Sequence, residues 1–310
     1  FYVRPGGFGD GTGPALNQAW GQISIPMMTF GALQPGDTVY VAPGTYTENI
    51  PAIQNFGTSE LTRTRYLGDP KADHFPDLNP GEVIFQNHPG ALHLWSGRFV
   101  NIENFTIIGS LTDTFGGITP VSSQSIIIRN NIIKGYKAGI AVEDMGNGPS
   151  KDLIIENNQI TDNSQFGIYL WHGNTGTIIH NNIIRDNGTN GILALDTNAQ
   201  AYIYNNTLSN NGKNNWGGEN QDHISLHSNL PIIVKNNILF SSLPGSQTIG
   251  IYGSGGYDID YNIYYATAGP PNNIPGGNSI VADPRFVNFA NRDFHLQSSS
   301  PAIDKGVYLA

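Results

Sequence analysis

The chain has 310 residues, of which 38% are hydrophobic and 13% are charged, and its formal net charge is -9. This composition is too apolar and aromatic for a disordered chain and too rich in Gly, Asn, Thr and Ile for a helical one, and no apolar run reaches the roughly 18 residues of a transmembrane helix. Generic binding to nucleic acid or to an anionic membrane is disfavoured by the negative charge, and the absence of cysteine excludes disulfides, thiolate metal sites and a cysteine nucleophile.

The N-terminal segment begins at Phe1 without a methionine. We interpret this start as the result of signal-peptide removal, and therefore predict a secreted or cell-surface protein. The stretch from Pro14 to Phe30 can begin as a short capping helix, which Pro26 would interrupt.

A repeat occupies the centre of the chain. Segments such as IIRNNIIKG, IIENNQITD, IIHNNIIRD and YIYNNTLSN carry an Asn pair in the same context. The second position of the pair recurs every 24 to 31 residues, at Phe105, Asn131, Asn158, Asn182, Asn206, Asn237 and Asn262. A second mark, usually Gly-Ile, precedes the later pairs at Gly117, Gly139, Gly167, Gly191, His223 and Gly250. Short segments repeated at this interval, with Gly and Asn at the corners, indicate a solenoid.

The apolar residues within each repeat alternate, as Ile126 and Ile128 or Ile168 and Leu170 do. Alternation with period two predicts strands that bury one face, so each repeat is one rung of a parallel β-helix. Asn tolerates the left-handed corner conformation, and Asn side chains on successive rungs can hydrogen-bond to one another in a ladder. We predict an all-β, single-domain protein, with an N-terminal cap over 1–36, rungs over 37–265 and a C-terminal cap over 266–310.

The NNxI pattern with recurrent Gly-Ile resembles the right-handed parallel β-helix superfamily, which includes pectate lyases and alginate epimerases, over roughly Val83 to Tyr265. The opening FYVRPGGFGDGTG and the stretch PGDTVYVAPGTYTENI resemble the first rung of exported bacterial members, and ADPRF with DFHLQSSSPAIDKG resembles their C-terminal segment. This resemblance implies a right-handed β-helix outside the cell. It leaves the activity open, because the superfamily also holds hydrolases, tailspikes and adhesins.

The strand opened by each Gly-Ile is predicted to point its Ile and the residue two positions later inward, and the residues between and after them outward. The first outward column reads His93, Thr119, Ala141, Tyr169, Leu193, Ser225, Tyr252. The second reads Trp95, Val121, Glu143, Trp171, Leu195, His227, Ser254. Trp95 and Trp171 would then lie three rungs apart, or about 14 Å, on one exposed face.

We predict that this face forms a groove. Its floor would hold Tyr169, Trp171, His172, Asp196, His227 and Tyr252. The long turn from Ser209 to His223 would form one wall, with Lys213, Trp216, Asp222 and His223. Aromatic planes with a few polar groups suit sugar rings, so the expected partner is a polysaccharide. The expected substrate-binding residues are Trp171, Trp95, Trp216, Tyr252, His93 and Glu143.

Structural interpretations compete with these assignments. Exposed Tyr and Trp residues can pack on one another, and Asp196 can serve its turn by hydrogen-bonding to the backbone. Glu143 with Asp144, beside Lys151 and Asp152, reads as solvated charge. His180 reads as a structural or surface residue.

A polysaccharide lyase or C5-epimerase needs a base and a group that neutralises the uronate carboxylate. The candidate catalytic residues are His172, His227, Tyr169, His223, Lys213 and Asp196. Calcium is a possible cofactor, held by Asp196 and Asp222 or by Glu143. The stretch FGIYLWHGNT loosely resembles the catalytic rungs of alginate epimerases, but their Asp-Pro-His-Glu run is replaced by Tyr169 to His172, and no Arg lies in the columns as a pectate-lyase mechanism would prefer.

Two other functions stay open. A glycoside hydrolase would use two carboxylates, for which Glu143 and Asp196 are candidates. A non-catalytic adhesin or structural assembly protein would need only the aromatic residues. We predict a lyase-like or epimerase-like enzyme over these two, and a titratable residue with a shifted pKa in the groove would distinguish a catalyst from a binder.

Overall fold

The computed structural model describes residues 1–48, 50, 52–86, 92–110, 116–195, 198–214, 222–244, 247–269, 271 and 275–309. Over this part of the chain the backbone winds as a parallel β-helix, in which each complete rung adds one strand to each of three sheets. The predicted all-β solenoid is therefore confirmed.

The strands of each sheet follow one another in chain order, and the described residues give two sheets of ten strands and one of seven. Sheet A consists of β1 (Tyr2–Val3), β2 (Thr38–Val41), β4 (Thr64–Gly68), β7 (Arg98–Glu103), β10 (Gln124–Arg129), β13 (Ile154–Glu156), β16 (Thr177–His180), β19 (Ala201–Tyr204), β22 (Ile233–Lys235) and β25 (Asp258–Asp260). Sheet B consists of β3 (Gly44–Tyr46), β5 (Val83–Gln86), β8 (Thr106–Ile108), β11 (Ile132–Lys134), β14 (Gln159–Thr161), β17 (Ile183–Arg185), β20 (Thr207–Ser209), β23 (Ile238–Ser241), β26 (Ile263–Ala266) and β27 (Ile280–Val281). Sheet C consists of β6 (Leu92–Trp95), β9 (Gly116–Val121), β12 (Ala138–Val142), β15 (Phe166–Leu170), β18 (Ile192–Ala194), β21 (Asp222–Leu226) and β24 (Gln247–Ile251).

Within the described ranges, helical structure consists of one short α-helix and three 3-10 turns. Helix α1 covers Ser24–Met28, and 3-10 turns cover Leu16–Gln18, Glu60–Thr62 and Phe289–Asn291. Pro26 is accommodated because it lies in the first turn of α1, where a backbone N–H has no helical partner to lose. In the described residues no helix combines the length and the apolar character needed to cross a membrane.

The C-terminal segment covers part of sheet B. Strands β28 (Phe286–Asn288) and β29 (Asp293–Leu296) form an antiparallel hairpin. The ring of Phe289 lies 4.2 Å from that of Phe240 on β23, and the ring of Phe286 lies 5.9 Å from it. Aromatic packing therefore holds the hairpin against the last rungs.

The interior is filled by the alternate residues that the period-two pattern predicted. Ile168 and Leu170 of β15 pair in register with Ile140 and Val142 on one side and with Ile192 and Ala194 on the other, and all six are fully buried. One continuous cluster of buried apolar residues extends from Val3 to Tyr264. The core is thus a stack of like residues, each rung covering the next.

The two Asn residues of each pair have different structural roles at the corner between sheets A and B. The first Asn takes the left-handed conformation, as at Asn181 with φ 55° and Asn205 with φ 56°. The second builds a buried ladder, in which Asn182 Nδ2 donates to Asn206 Oδ1 at 3.0 Å and Asn206 Nδ2 donates to Asn237 Oδ1 at 3.0 Å. Backbone carbonyls accept the remaining Nδ2 hydrogens, so the buried amides are satisfied.

A second ladder, which the sequence did not predict, lines the corner between sheets B and C. Asn163 Nδ2 donates to Asn187 Oδ1 at 2.9 Å, and Asn187 Nδ2 donates to Asn211 Oδ1 at 2.9 Å. The next member is His223, whose Nδ1 lies 3.3 Å from Asn211 Nδ2. His223 is fully buried, so its predicted place on an exposed groove wall is wrong. It stands where other rungs have Gly, and its ring fills the interior at the end of the ladder.

The register of the last rung of sheet C also differs from the prediction. Ile224 pairs with Ile249, and Leu226 pairs with Ile251, so the Gly-Ile pair at 250 is displaced by two residues from the repeat. Tyr252 therefore follows His227 in the second column, and the first column ends at Gly250. The reason is that parallel hydrogen bonding aligns Ile249, which is fully buried, with the inward Ile of the rung before it.

Candidate functional site

The outer face of sheet C carries a row of aromatic side chains across one rung. Ring centroids lie 4.9 Å apart for Phe166 and Tyr169, 5.7 Å for Tyr169 and Trp171, and 4.4 Å for Trp171 and His172. Tyr169 and Trp171 face outward because Ile168 and Leu170, which alternate with them, occupy the interior. His172 is exposed and ends the row in the left-handed conformation, with φ 53°. The four rings form a platform at the surface.

A second aromatic pair lies farther along the same face. His93 and Trp95 stack at 5.8 Å, and Trp95 is 43% exposed. In register, Trp95 pairs with Val121 and Val121 pairs with Glu143, and the pairing of Val142 with Leu170 places Trp171 beside Glu143. The second column therefore has the predicted order up to Trp171, and Glu143 lies between the two tryptophans.

Glu143 is the most unusual titratable group on this face. It is 1% exposed, and neither of its carboxylate oxygens has a hydrogen-bond partner among the described residues. Burial raises its pKa to about 7, against a smaller opposing effect of Lys137. The interpretation of Glu143 as a solvated charge is therefore wrong. A carboxyl group with such a pKa can hold or release a proton near neutral pH, which proton-transfer catalysis requires.

The pKa of Tyr169, on the neighbouring rung, is also shifted by burial. Burial, with a further contribution from the charge of Glu143, raises its pKa to about 12. Tyr169 is therefore a neutral phenol at neutral pH, and it lacks the lowered pKa that would favour the predicted role as a base.

Two further polar residues, Thr119 and His93, lie on the outer face of sheet C, on the two rungs that follow Glu143 toward Trp95. Thr119 is fully buried and pairs in register with His93. Thr119 Oγ1 and His93 Nδ1 have no hydrogen-bond partner among the described residues. Burial lowers the pKa of His93, so its imidazole is neutral at neutral pH. His93, Thr119 and Glu143 thus bring unpaired polar atoms together on three consecutive rungs.

The opposite end of the face holds a hydrogen-bonded cluster. Asp222 Oδ2 accepts hydrogen bonds from the Ser225 hydroxyl at 2.6 Å and from the Tyr252 hydroxyl at 2.9 Å. Asn190 Nδ2 donates to Ser225 Oγ at 2.7 Å, and the ring of Tyr252 stacks on His227 at 4.7 Å. Asp222 is fully buried, so its predicted exposure on the groove wall is wrong.

Gly250 allows this cluster to form. A Cβ atom at this position would lie 2.0 Å from Asp222 Oδ2 and 2.4 Å from Tyr252 Cε2. Any side chain would therefore separate the tyrosine ring from the carboxylate that it covers. Gly250, the glycine of the displaced Gly-Ile pair, is therefore needed so that the Tyr252 ring can approach the Asp222 carboxylate, and not to form a corner.

Calcium binding stays a prediction for this chain. No three Asp, Glu or His side chains of the described ranges converge in a way that could hold a metal ion. Asp222, one predicted ligand, already binds two hydroxyl groups, and Asp196, the other, lies outside the described residues, as does Trp216.

Lys213 lies in an ion-pair cluster at the corner between sheets B and C. Its Nζ is 3.0 Å from Asp162 Oδ1 and 3.6 Å from Asp186 Oδ1. These ion pairs hold the side chain at the corner between sheets B and C, which gives no support to its predicted role as a base. His180 lies on the outer face of sheet A, where its Nε2 is 3.1 Å from Glu156, so a structural or surface role suits it.

A surface hollow of about 580 Å3 lies at the turns that follow sheet C. It is lined by Asp144, Pro149, His172, Gly173, Thr175, Asn198 and Leu230. Asp144 Oδ1 accepts from the Gly146 amide at 2.6 Å. The hollow places a second carboxylate and the end of the aromatic platform in one depression.

One sequence signal could have identified Glu143 as buried. It occupies an outward position, but its column neighbours are Val121 and Trp171, which are apolar. A carboxylate between two apolar neighbours on adjacent strands is shielded from water on both sides. The burial of Thr119 has no comparable signal.

Comparison with known proteins supports the architecture. Residues 90–263, more than half of the chain, match the family described as "Right handed beta helix region". Pectate lyase Pel9A is similar with a TM-score of 0.67 and 14% identity, over 100% of this chain and 92% of that chain. The structure described as the complex of XylC with xylose has a TM-score of 0.62 and 14% identity, and the match covers 86% of this chain and 66% of that chain. The GH136 lacto-N-biosidase from Eubacterium ramulus has a TM-score of 0.65 and 13% identity, and the match covers 86% of this chain and 55% of that chain.

This chain thus spans 66% of the XylC chain and 55% of the lacto-N-biosidase chain. Identities of 13 to 14% show a shared fold alone. No curated protein matches the sequence.

Proposed function

Because the chain belongs to the right-handed β-helix family, we propose that it is an exported carbohydrate-active enzyme that binds a glycan on the outer face of sheet C and cleaves it, with Glu143 as the proton-transferring residue. The solved structures with this fold include a pectate lyase, a lacto-N-biosidase and a complex with xylose. They support a carbohydrate ligand at the level of the fold.

The observation that carries the proposal is the environment of Glu143. A buried carboxyl group without a hydrogen-bond partner destabilises a protein, and a purely structural role gives no reason to place one there. Such groups occur characteristically in active sites, where burial brings the pKa toward the pH at which proton transfer takes place. Glu143 has this character, and it lies one rung from Trp171.

The aromatic residues supply the binding surface. Sugar rings present apolar C–H faces that stack on aromatic planes, and their hydroxyl edges need polar partners. The platform from Phe166 to His172 and the pair of His93 and Trp95 lie on either side of Glu143. A glycan that contacts both aromatic groups would place a glycosidic bond over the carboxyl group.

Hydrolysis is the reaction that this carboxyl group supports best. In its protonated form Glu143 would donate its proton to the glycosidic oxygen as the bond from that oxygen to the anomeric carbon breaks, and the leaving sugar would depart as an alcohol. A second carboxylate is needed to activate water or to attack the anomeric carbon. Asp144 in the neighbouring hollow is one candidate, and Asp196, outside the described residues, is the other.

A second candidate reaction is β-elimination from a uronate polymer. It is favoured by His172, which is exposed beside Trp171 and could take the proton next to the uronate carboxylate. This reaction leaves an unsaturated sugar that absorbs ultraviolet light, whereas hydrolysis does not.

The test is a panel of neutral and uronic polysaccharides in which new reducing ends and the absorbance of unsaturated product are followed together. New reducing ends without absorbance would indicate hydrolysis, and a rise in both would indicate β-elimination. Glu143→Gln should abolish hydrolysis, whereas β-elimination would depend on His172 and should be lost in His172→Gln. The matched control is Glu156→Gln on the outer face of sheet A, which should leave cleavage unchanged. Cleavage that survives Glu143→Gln would contradict the proposal, and glycan retention without any cleavage would indicate a binding protein.

A further inference from the structure

We infer that the glycan bound on sheet C is neutral rather than a polyuronate, and that His93 and Thr119 bind hydroxyl groups of the sugar unit next to Glu143. This inference rests on the proposed function and specifies its substrate class. It is carried by the unpaired polar atoms on the face and by the absence of cationic side chains from its strands.

The unpaired atoms form a contiguous set. Thr119 is 0% exposed and Glu143 is 1% exposed, and both lie on the outward face of adjacent rungs, with His93 on the rung before Thr119. A buried polar atom that is left without a hydrogen-bond partner destabilises the fold. Sugar hydroxyl groups both donate and accept hydrogen bonds, so a bound glycan can supply the missing partner of a threonine hydroxyl, an imidazole nitrogen or a carboxyl group.

A uronate carboxylate on this face would find no Arg or Lys on the strands beneath it. The seven described strands of sheet C contain neither Arg nor Lys. Lys213 is paired with Asp162 and Asp186, and Lys137, just before β12, acts electrostatically on Glu143. Burying a substrate carboxylate beside Glu143 without an added positive charge would place two acidic groups together in a poorly solvated site.

The charge of the whole chain acts in the same direction. With a formal net charge of -9, the protein repels a polyanion at long range. A neutral glycan meets no such barrier. The two observations are independent, since one concerns the strands of the face and the other the entire sequence.

The experiment compares polymers that differ only in charge. Polygalacturonate, polymannuronate and polyglucuronate would each be tested beside their carboxyl-reduced forms, which keep the linkages and lack the charge. Binding to Glu143→Gln protein, which retains the site without cleavage, would be measured by affinity electrophoresis and calorimetry. A carboxyl-reduced polymer should bind at least about tenfold more tightly than its parent.

Two substitutions in the Glu143→Gln background test the named residues. His93→Phe keeps a ring to stack on Trp95 and removes the nitrogens, and Thr119→Val keeps the volume and removes the hydroxyl. Each should weaken binding by about tenfold, since a ligand hydroxyl loses its partner. The control is Thr177→Val, which removes another buried, unpaired threonine hydroxyl on sheet A and should not change binding.

The outcomes separate this inference from the proposed function. Preference for the neutral polymers without cleavage by the unmodified protein would support the inference and contradict the proposed enzyme. Preference for a polyuronate, or unchanged binding in both His93→Phe and Thr119→Val, would overturn the inference even if cleavage occurs. Failure of every polymer to bind would overturn both.

Discussion

At the scale of single residues, the outer face of sheet C shows that pointing outward and being exposed are different properties. Trp95 and Glu143 belong to one outward column, yet Trp95 is 43% exposed and Glu143 is 1% exposed. Alternation along a strand sets the direction of a side chain, and the size of its neighbours sets its contact with water. The chemistry that we propose depends on the second property.

Replacing Glu143 by Gln should stabilise the fold as the pH rises. The pKa of Glu143 is raised from 4.5 to about 7, so below pH 4.5 the folded and unfolded states are both protonated and the group has no effect. Above pH 4.5 the unfolded state ionises first, which destabilises the fold by roughly 2–3 kcal/mol at pH 8.

Urea unfolding of the parent and of Glu143→Gln at pH 4 and pH 8 checks this prediction. The free energies of unfolding should differ little at the lower pH, and the variant should be the more stable at the higher pH. A variant that is less stable at both values would show that the carboxyl group has a stabilising partner.

Replacing Trp171 by Ala should abolish glycan retention with little effect on stability. The side chain is half-buried, and its ring contacts are with Tyr169 and His172 on the surface. Affinity electrophoresis and the melting temperature, measured together, separate the two roles. Phe56, a half-buried aromatic residue packed against the N-terminal part of the core, offers a control: Phe56→Ala should reduce stability and leave retention intact. A large fall in the melting temperature for Trp171→Ala would identify a packing residue.

At the scale of elements, the corners of the rungs are stabilised by two Asn ladders that follow different rules. At the corner between sheets A and B the Asn pair supplies a left-handed residue and then a ladder residue. At the corner between sheets B and C single residues, Asn163, Asn187 and Asn211, form the ladder. Two adjacent Asn residues make the first ladder visible in the sequence. Single Asn residues among other polar turn residues do not reveal the second.

Removing one ladder member should destabilise the fold strongly. Asn182 donates to the carbonyls of Ile155 and His180 and to Asn206, and its Oδ1 accepts from the amide and the side chain of Asn158. Asn182→Ala leaves several buried groups unpaired, and we expect a loss of roughly 3–5 kcal/mol in the free energy of unfolding.

The control for this change is Asn205→Gly. Asn205 is the exposed first member of the next pair and holds a left-handed φ of 56°, which Gly adopts without strain. Denaturant unfolding should therefore show less than about 1 kcal/mol of change for the control. Equal losses in the two variants would mean that the buried ladder contributes no more to stability than the exposed side chain of Asn205.

At the scale of the whole molecule, the rungs stabilise one another by stacking. A charge buried in any rung therefore lowers the free energy of unfolding of the whole β-helix. His223 ends the second ladder, is fully buried, and has a pKa lowered by burial from 6.5 to about 4. Above pH 6.5 it is neutral in both states and has no pH-dependent effect. As the pH falls toward 4, the unfolded state gains a proton that the folded state does not, which should cost about 3 kcal/mol of stability.

The variant His223→Asn isolates this effect, because Asn stays neutral and can still hydrogen-bond to Asn211. The stability of the parent should fall by about 3 kcal/mol more than that of the variant between pH 6.5 and pH 4, as measured by urea unfolding. Parallel pH dependences in the two proteins would show that acid sensitivity arises elsewhere.

The sequence by itself determined the β-helix, the order of its rungs and the column that joins Trp95, Glu143 and Trp171. These features follow from alternation along a strand and from a repeat of 24 to 31 residues, both of which are visible in the letters. Only the tertiary structure decided that Glu143 is buried, that His223 lies in the core, and that Ile249 rather than Ile251 pairs with Ile224. Solvent contact and strand register depend on the side chains of neighbouring rungs and on which hydrogen bonds they leave available, and no single strand contains that information.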